Sequence, residues 1–458
     1  MQLITKVKNL EGVSFSPLLA YSALRREFDG ESFLLESVEG TEKTARYSFI
    51  GLKPAFRFKS KGKEVVCEGV SDSKGKSENP YLSLKEEFSK YSARNVPGIP
   101  FSGGIVGYFS YDMVRFFEKL PNKLNDDLKL PDSYFILPTY VVGFDHLRKR
   151  NFLISHSGEE KEEKKIESVL RGKDSDGIGK LKTGKISSSF SEKDYCVAVE
   201  NAKEHIFAGD IFQTVLSRRK DVSYSGDELA IYAALRKINP SPYLYFLDFK
   251  ETKIIGSSPE MLVRCEGKTL TTRPIAGTRP RSENAKEDMR MEREMLSDEK
   301  ERAEHVMLVD LHRNDLGRVS EYGSVKVTEL MGVEKYSHVQ HIVSNVVGRL
   351  QKGKDCFDAL QACFPAGTVS GAPKIRAMEI IEELEMHKRG PYAGVAGYFD
   401  FSGNMDVAIN IRSVFTKGSR AYVQAGAGIV ADSIPEREFV ETENKMKAML
   451  EGLRISTE

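Results

Sequence analysis

The sequence has few cysteines and no motif in which they could act together. Five cysteines occur in 458 residues, and none belongs to a CxxC pair or has a histidine at the spacing of a zinc site. We therefore expect isolated, reduced thiols, as is usual for a cytoplasmic protein, and no disulfide framework.

The sequence also lacks long apolar runs and an excess of one charge. No segment approaches the ~18 consecutive apolar residues of a transmembrane helix, and the first residues contain no apolar stretch typical of a signal peptide. Lys and Arg number 68 against 67 Asp and Glu, whereas a nucleic-acid-binding protein usually carries a basic excess. We therefore expect a cytoplasmic protein that binds neither a membrane nor a nucleic acid.

Three segments of the chain differ in their residue patterns. Residues 1–155 contain short β-like runs separated by turn residues, and residues 156–190 contain a charge run that predicts a solvated helix and a linker. Residues 191–458 have denser regular patterns. The elements predicted there are helices over 192–208, 286–310 and 436–452 and strands over 210–219 and 337–349. Helices and strands are interspersed without a regular βαβ order, which favours an α+β fold.

Two sets of acidic residues recur at helical spacing. Glu301 and Glu304 lie three residues apart, and Glu438, Glu441 and Lys445 lie three and four residues apart near the end of the chain. Side chains at this spacing share one face of a helix, so either set could point into a site. Taken alone, an ordinary charged helix surface is the more common explanation of either set.

Other segments could bind anions. Residues 274–281 contain two Pro, one Gly and two Arg, which predicts a rigid cationic loop suited to a carboxylate, although a surface turn is an alternative. The run Gly426, Ala427 and Gly428 would let backbone N–H groups approach an anion closely. His341 alternates with apolar residues, so a packed core histidine remains open for it.

In chain order, a long series of motifs resembles the chorismate-utilising enzymes. The motifs lie at 209–218, 256–260, 274–281, 304–316, 336–341, 364–374, 389–392, 410–413 and 426–428, followed by Glu441 and Lys445. The resemblance covers residues 190–458. It implies an α+β fold in which antiparallel sheets face one another around a central cleft, with helices packed outside.

The N-terminal half is similar to the tryptophan feedback site of anthranilate synthase large subunits. The similarity rests on residues 34–37, 46–51 and 239–244. It implies an inhibitor site whose residues are Glu36, Ser37, Pro242, Tyr243 and Leu244. The N-terminal region, 1–155, would carry this site and contacts with a partner protein.

Two positions separate members of this family. Members that add water carry a lysine where this chain has Gln213, and a neutral amide cannot act as that base. Many aminodeoxychorismate synthases carry a lysine where this chain has Ala276, which offers no nucleophile. The resemblance therefore favours an anthranilate synthase, a lyase that makes anthranilate and pyruvate from chorismate and ammonia in the first step of tryptophan biosynthesis. The alternatives are an aminodeoxychorismate synthase component and a non-catalytic tryptophan-sensing subunit.

The resemblance also implies roles for individual residues. Glu304 and Glu441 would hold Mg²⁺, with Glu301 acting through water, and Glu260 would be the general acid. His341 would assist the second step while Thr278 orients the ring. The residues implied in substrate binding are Gly277, Thr278, Tyr392, Arg412, Gly426, Ala427, Gly428 and Lys445.

The sequence contains no Cys-His-Glu signature of a glutaminase. The resemblance therefore implies a separate glutamine amidotransferase subunit that delivers ammonia, and a chain that uses only free ammonia when alone. L-tryptophan is the expected feedback inhibitor.

Overall fold

The computed structural model describes residues 1–13, 15–37, 46–69, 72–172, 177–336 and 339–455. The helices are α1 Pro17–Glu27, α2 Pro80–Ser89, α3 Glu160–Arg171, α4 Glu192–Phe207, α5 Leu229–Ile238, α6 Ala285–Ser297, α7 Glu299–Gly317, α8 Cys356–Cys363, α9 Lys374–Leu384 and α10 Pro435–Ile455. Two 3₁₀ helices span Tyr111–Phe116 and Gly367–Val369.

Strands make up the largest share of the regular structure in the described chain. The strands are β1 Gln2–Leu3, β2 Thr5–Leu10, β3 Ser32–Glu36, β4 Tyr47–Lys61, β5 Glu64–Glu68, β6 Ser73–Lys76, β7 Ser92–Ala93, β8 Gly104–Phe109, β9 Ser133–Asp145, β10 Arg150–His156, β11 Leu181–Ser188, β12 Gln213–Gly226, β13 Tyr243–Phe249, β14 Thr252–Ser258, β15 Met261–Glu266, β16 Thr269–Thr272, β17 Ile275–Pro280, β18 Lys326–Lys335, β19 Val339–Arg349, β20 Gly371–Ala372, β21 Val395–Asp400, β22 Met405–Ile409, β23 Ser413–Lys417 and β24 Arg420–Ile429.

The long strands β4 and β9 pass through two antiparallel layers. The first half of β4 pairs with β3 and its second half with β5. The first half of β9 pairs with β8 and its second half with β10, and β4 and β9 pair with each other along their length. The change falls at Pro54, which lies opposite Pro138 and beside a register shift. Proline lacks the N–H that a continuous ladder needs, so this is where strands can bend from one layer into the other.

One layer runs from β3 through β13, β14, β23 and β24 to β12 and β11. The other runs from β8 through β21, β22, β15 and β16 to β19, with β17 and β18 beside it. Leu247 and Ile254 of the first layer share one hydrophobic core with Ile105 and Val407 of the second. The layers therefore face each other, and the predicted α+β architecture is confirmed.

The helix predicted over 286–310 is wrong in one respect, since the chain forms two helices there. Asp298 lies between α6 and α7 with extended backbone, and its carboxylate accepts hydrogen bonds from the N–H groups of Lys300 and Glu301. This cap satisfies the first donors of α7 and starts a new helix. Consequently the direction of α7 is set independently of α6.

The loop predicted at 274–281 is also wrong, because Ile275–Pro280 forms strand β17 against β19. Its arginines are not free for a ligand. Arg279 donates to Glu301 at 3.0 Å, and Arg281 donates to Asp288 at 2.8 Å. The positive charges of this segment are therefore neutralised by Asp288 of α6 and Glu301 of α7.

The region 156–190 contains the predicted charged helix, here α3, whose Ile166 and Leu170 are buried. It also contains β11, which pairs with β12 and was not predicted. The division of the chain at 155 and 190 stays a proposal. Among the described helices, none combines the length and apolar character needed to cross a membrane.

Candidate active site

A cavity of about 220 Å³ lies between the two layers, and most of the predicted catalytic and substrate-binding side chains line it. The predicted residues in its wall are Glu260, Thr278, Glu304, His341, Tyr392, Arg412, Gly426 and Lys445. The two residues used to separate family members, Gln213 and Ala276, line it as well. Residues more than 200 positions apart in the sequence therefore converge on one cavity.

Glu260 lies in the short connection after β14 and is buried. Thr368, in the 3₁₀ turn Gly367–Val369, donates its hydroxyl to Glu260 Oε1 at 2.9 Å. Burial raises the pKa of Glu260 from 4.5 to about 7, against the opposing effects of Thr368 and the positive charge of Lys445. A carboxyl group with this pKa still holds a proton near neutrality, as a general acid must.

Three predicted carboxylates lie around the start of α7 and along α10. Burial and the neighbouring charges of Glu301 and Glu441 raise the pKa of Glu304. Glu301 accepts from Arg279 at 3.0 Å, and Glu441 forms an ion pair with Lys445 at 2.6 Å. A divalent cation would relieve the repulsion that raises the pKa of Glu304, so this donor set suits a hard cation. In the described chain no group of three or more His, Cys, Asp or Glu side chains is arranged to hold a metal ion by itself.

His341 on β19 faces the neighbouring strand β17. Its Nδ1 lies 3.1 Å from the carbonyl oxygen of Gly277 and 3.0 Å from Thr278 Oγ1. Since a carbonyl only accepts, the hydrogen is assigned to Nδ1, which leaves Nε2 as an acceptor. Burial lowers the pKa of His341, with a smaller contribution from Arg412, and this favours the neutral ring. A neutral imidazole with a free Nε2 can accept a proton.

Arg412 and Tyr392 lie at another wall of the cavity. Arg412 has a left-handed backbone with φ of 53°, a conformation that costs about 1 kcal/mol or more for a residue other than glycine. The side chain is half-buried, and loss of solvent around its guanidinium lowers the pKa of Arg412. The guanidinium donates to the carbonyl of Lys445 at 2.7 Å. Within the described residues, no carboxylate forms an ion pair with Arg412. A half-buried cation that has no direct ion pair, with only the nearby charge of Glu441 opposing the fall in its pKa, is a strong site for an anionic ligand.

The run Gly426–Gly428 lies in β24, opposite β12. A Cβ at Gly426 would lie 3.0 Å from the Tyr392 hydroxyl, and one at Gly428 would lie 2.6 Å from the side-chain nitrogen of Gln213. The Cβ at Gly426 would also lie 2.9 Å from the carbonyl oxygen of Leu216, so a glycine is required there, whereas the end of the Gln213 side chain can move away from Gly428. The ladder between β23 and β24 ends at Val423. The later residues of β24, including Gly426, therefore have no partner in β23. Lys445 donates to the carbonyl of Gly426 at 3.0 Å.

Some predicted residues stand behind the wall of the cavity. Gly277, Glu301, Ala427, Gly428 and Glu441 are not in its lining. Ala427 packs with a separate apolar cluster that includes Tyr195 and Leu216. Sequence reasoning missed Thr368 and Gln424 as lining residues. Thr368 lies within the motif 364–374, but the motif itself gives no sign of a partner 108 residues away.

A second cavity, of about 750 Å³, lies at the start of β13. All five residues predicted for an inhibitor, Glu36, Ser37, Pro242, Tyr243 and Leu244, line it. The Glu36 carboxylate accepts from the Tyr232 hydroxyl at 2.7 Å and from Arg236 Nε at 3.1 Å. The five residues that the sequence predicts for one inhibitor site therefore lie around one cavity in the structure.

Strand β13 lines the larger cavity and contacts segments that lie beside the smaller cavity. Tyr245 lines the larger cavity, and its hydroxyl donates to Asn410 Oδ1 at 2.6 Å. Asn410 is two residues before Arg412 of the smaller cavity. Tyr243 pairs with Ser258, the last residue of β14 and two residues before Glu260. These contacts link the larger cavity to the segments that carry Glu260 and Arg412.

The fold and the cavity define an enzyme that binds a small anionic substrate between two antiparallel layers. The chain belongs to the chorismate binding enzyme family, whose model matches residues 30–451. The resemblance found in the motifs is thereby confirmed.

Comparison with individual proteins shows which members of this family the chain is similar to. The chain is 48% identical to anthranilate synthase component 1 of Acetivibrio thermocellus, over 95% of this chain and 93% of that protein. It is 48% identical to the protein of the same name from Methanothermobacter thermautotrophicus, over 99% and 96% of the two chains. The crystal structure of anthranilate synthase component I from Streptococcus pneumoniae superposes with a TM-score of 0.81 at 39% identity, covering 96% of this chain and 98% of that one. A menaquinone-specific isochorismate synthase from Escherichia coli shares the fold, with a TM-score of 0.75 at 21% identity over 99% and 95% of the chains.

Proposed function

We propose that the chain acts as anthranilate synthase component 1, converting chorismate and ammonia to anthranilate and pyruvate. Relatives of that name align with nearly the whole chain. The single observation that carries the proposal is that one cavity contains both Glu260, a buried carboxyl with a pKa of about 7, and Arg412, which forms no ion pair with a described carboxylate. One supplies a proton and the other binds an anion.

Chorismate has two carboxylates, and the cavity offers a different partner for each. The carboxylate of the enolpyruvyl arm would bind Arg412 and the Tyr392 hydroxyl, since a half-buried guanidinium strongly favours a carboxylate. The ring carboxylate would lie toward Glu304 and Lys445, with backbone N–H groups of 426–428 nearby. Binding at both ends orients the ring so that its C4 hydroxyl faces Glu260.

The first step adds ammonia at C2 of the ring. The new C–N bond forms, the ring double bonds shift, and the bond from C4 to oxygen breaks. Glu260 donates its proton to the departing oxygen, which leaves as water, and the carboxylate stays behind. Gln213 cannot act as a base that activates water, and Ala276 offers no nucleophile. Neither side chain therefore provides a reaction at the ring that would compete with the addition of ammonia.

The second step makes the ring aromatic. Nε2 of His341 accepts the proton from C2, and the bond between the ring and the enolpyruvyl oxygen breaks. The released enolpyruvate takes up a proton and becomes pyruvate. Thr278, beside His341, would hold the ring in place for this transfer.

Mg²⁺ is the proposed cofactor, held by Glu304 and Glu441 together with substrate oxygens and water. When bound, it would withdraw electron density through the ring carboxylate and favour attack at C2. Glu301 would contact it through water. The raised pKa of Glu304, caused by burial and by Glu301 and Glu441, supports a cation at this place.

We propose feedback control through the larger cavity, with L-tryptophan bound among Glu36, Ser37, Pro242, Tyr243 and Leu244. The partner would be a glutamine amidotransferase subunit that supplies ammonia, with contacts in the N-terminal region. The name "component 1" borne by the relatives supports a second component. Five free cysteines support a reducing compartment such as the cytoplasm.

Product identification tests the proposal. The purified chain is incubated with chorismate, an ammonium salt and Mg²⁺, and the products are separated by chromatography. We expect anthranilate and pyruvate in equal amounts, lost with a chelator and reduced by L-tryptophan. An aminochorismate without pyruvate would contradict the assignment and indicate an aminodeoxychorismate synthase.

A further inference from the structure

Thr368 makes the one side-chain hydrogen bond that reaches the Glu260 carboxyl within the described chain. Its hydroxyl donates to Oε1 at 2.9 Å, and the other carboxyl oxygen, Oε2, has no protein donor there. Both residues line the smaller cavity. The contact joins two segments that are separated by 108 residues in sequence.

The backbone that carries Thr368 is held rigidly from behind. Arg389 is fully buried, and its Nη1 donates to the carbonyl of Val369 at 2.6 Å. The same guanidinium is paired with the buried carboxylate of Glu385. The Ser370 hydroxyl donates to the carbonyl of Ala366 at 2.7 Å, which closes the turn on its other side. Thr368 is therefore presented to Glu260 by a preorganised turn rather than by a free loop.

We propose that Thr368 is a positioning residue for the general acid, and that its hydrogen bond decides which oxygen of Glu260 carries the transferable proton. A hydroxyl that donates to Oε1 makes Oε1 an acceptor, so the acidic proton resides on Oε2. The same bond prevents rotation of the carboxyl group and keeps Oε2 directed at the leaving oxygen. This inference rests on the proposed function, since it assumes that Glu260 protonates the leaving group.

Other charged groups act on Glu260 from the surrounding elements. Lys445 of α10 opposes the rise in its pKa, as Thr368 does, whereas burial causes that rise. Glu304 of α7, His341 of β19 and Arg412 line the same cavity. Removal of the Thr368 hydroxyl leaves all of these in place, so a change in the titration of Glu260 reports on that hydrogen bond.

The test compares Thr368→Val, which keeps the shape and removes the donor, with Thr368→Ser, which keeps the donor and removes one methyl group. The kcat and KM for anthranilate formation from ammonia are measured from pH 5.5 to 9. For valine we expect kcat to fall by about tenfold, the effect of one hydrogen bond to a charged or reacting group. We expect KM to stay nearly constant and the alkaline limb of the pH profile to move to higher pH. Serine should keep the limb of the unchanged protein.

Each outcome decides the inference. A limb that does not move in Thr368→Val, or that moves equally in Thr368→Ser, would overturn it. If valine lowers the thermal midpoint so far that rates cannot be measured, Thr368→Ser still decides, because loss of kcat with the donor present contradicts a positioning role. Absence of anthranilate from the unchanged protein would instead refute the proposed function.

Discussion

Replacing Glu260 by Gln should abolish most activity and, at the same time, stabilise the protein at alkaline pH. The amide cannot donate the proton that the leaving oxygen needs, so kcat should fall by about 10²–10⁴-fold. The shape of the side chain is kept, and chorismate should still bind. In the unchanged protein, activity should decline as pH rises through about 7, because the carboxyl then loses its proton.

The stability effect follows from the raised pKa of Glu260, 4.5 in the unfolded chain and about 7 when buried. Below pH 4.5 the carboxyl is neutral in both states and the shift has no effect. As pH rises toward 7, only the unfolded chain releases the proton, so folding becomes progressively less favourable; above 7 the penalty is constant. The shift amounts to about 1 kcal/mol of unfolding free energy at pH 5 and about 3 kcal/mol at pH 8. A glutamine has no such penalty.

Urea unfolding at pH 5 and pH 8 measures this difference. The free energy of unfolding of Glu260→Gln relative to the unchanged protein should increase by about 2 kcal/mol between the two pH values. Glu251→Gln is the matched control, since Glu251 is exposed in the turn that joins β13 to β14. Its effect should be the same at both pH values. If the Glu260 variant also showed a pH-independent difference, Glu260 would be ionised in the folded protein near neutrality, and its role as the acid would be untenable.

Three further predictions concern the inhibitor and the metal ion. Ser37→Phe fills part of the larger cavity, and overpacking costs about 1–3 kcal/mol. The tryptophan concentration for half inhibition should therefore rise while turnover stays largely unchanged. Full sensitivity of this variant to tryptophan would refute the site. Tyr245→Phe removes only the hydroxyl, which is bonded to Asn410 and lies 2.9 Å from Ser413 Oγ. Tryptophan should still bind, but inhibition at saturation should become partial. Tyr134→Phe serves as the control, because its hydroxyl donates to Glu31 at 3.1 Å and Tyr134 lines neither cavity. The chain contains no tryptophan, so ligand fluorescence measures that binding without background. Glu304→Gln should raise the Mg²⁺ concentration for half activity by more than about tenfold, since even outer-shell partners contribute that much; an unchanged requirement would exclude Glu304 as a ligand.

Much of the candidate site could be predicted from sequence because its residues lie in long, specific motifs. Glu260, His341 and Arg412 were each named from such motifs, and all three line one cavity. The contact between Thr368 and Glu260 could not be predicted, because it depends on how two distant segments are brought together by the fold. No local spacing rule reports a contact of this kind.

The secondary-structure errors have local physical causes. The charged pattern of 286–310 continues through Asp298, and only the capping hydrogen bonds to Lys300 and Glu301 end one helix and begin the next. In segment 274–281, the two prolines predict a loop. Pro274 and Pro280 instead lie just before and at the end of β17, where a missing N–H is tolerated.

The hairpin of β13 and β14 favours inhibition by displacement of Glu260 and Arg412 over direct competition between the inhibitor and the substrate. One face of β13 contributes Tyr243 and Tyr245 to the larger cavity, while β14 ends immediately before the segment that carries Glu260. Antiparallel strands joined by a continuous ladder move together, since shifting one alone would break hydrogen bonds along its length. A ligand that displaces β13 would thus displace Glu260 through the ladder and Arg412 through Asn410. Because these are two separate connections, loss of the Tyr245 hydroxyl should remove one and leave the other. This is the physical reason to expect partial, rather than abolished, inhibition in Tyr245→Phe.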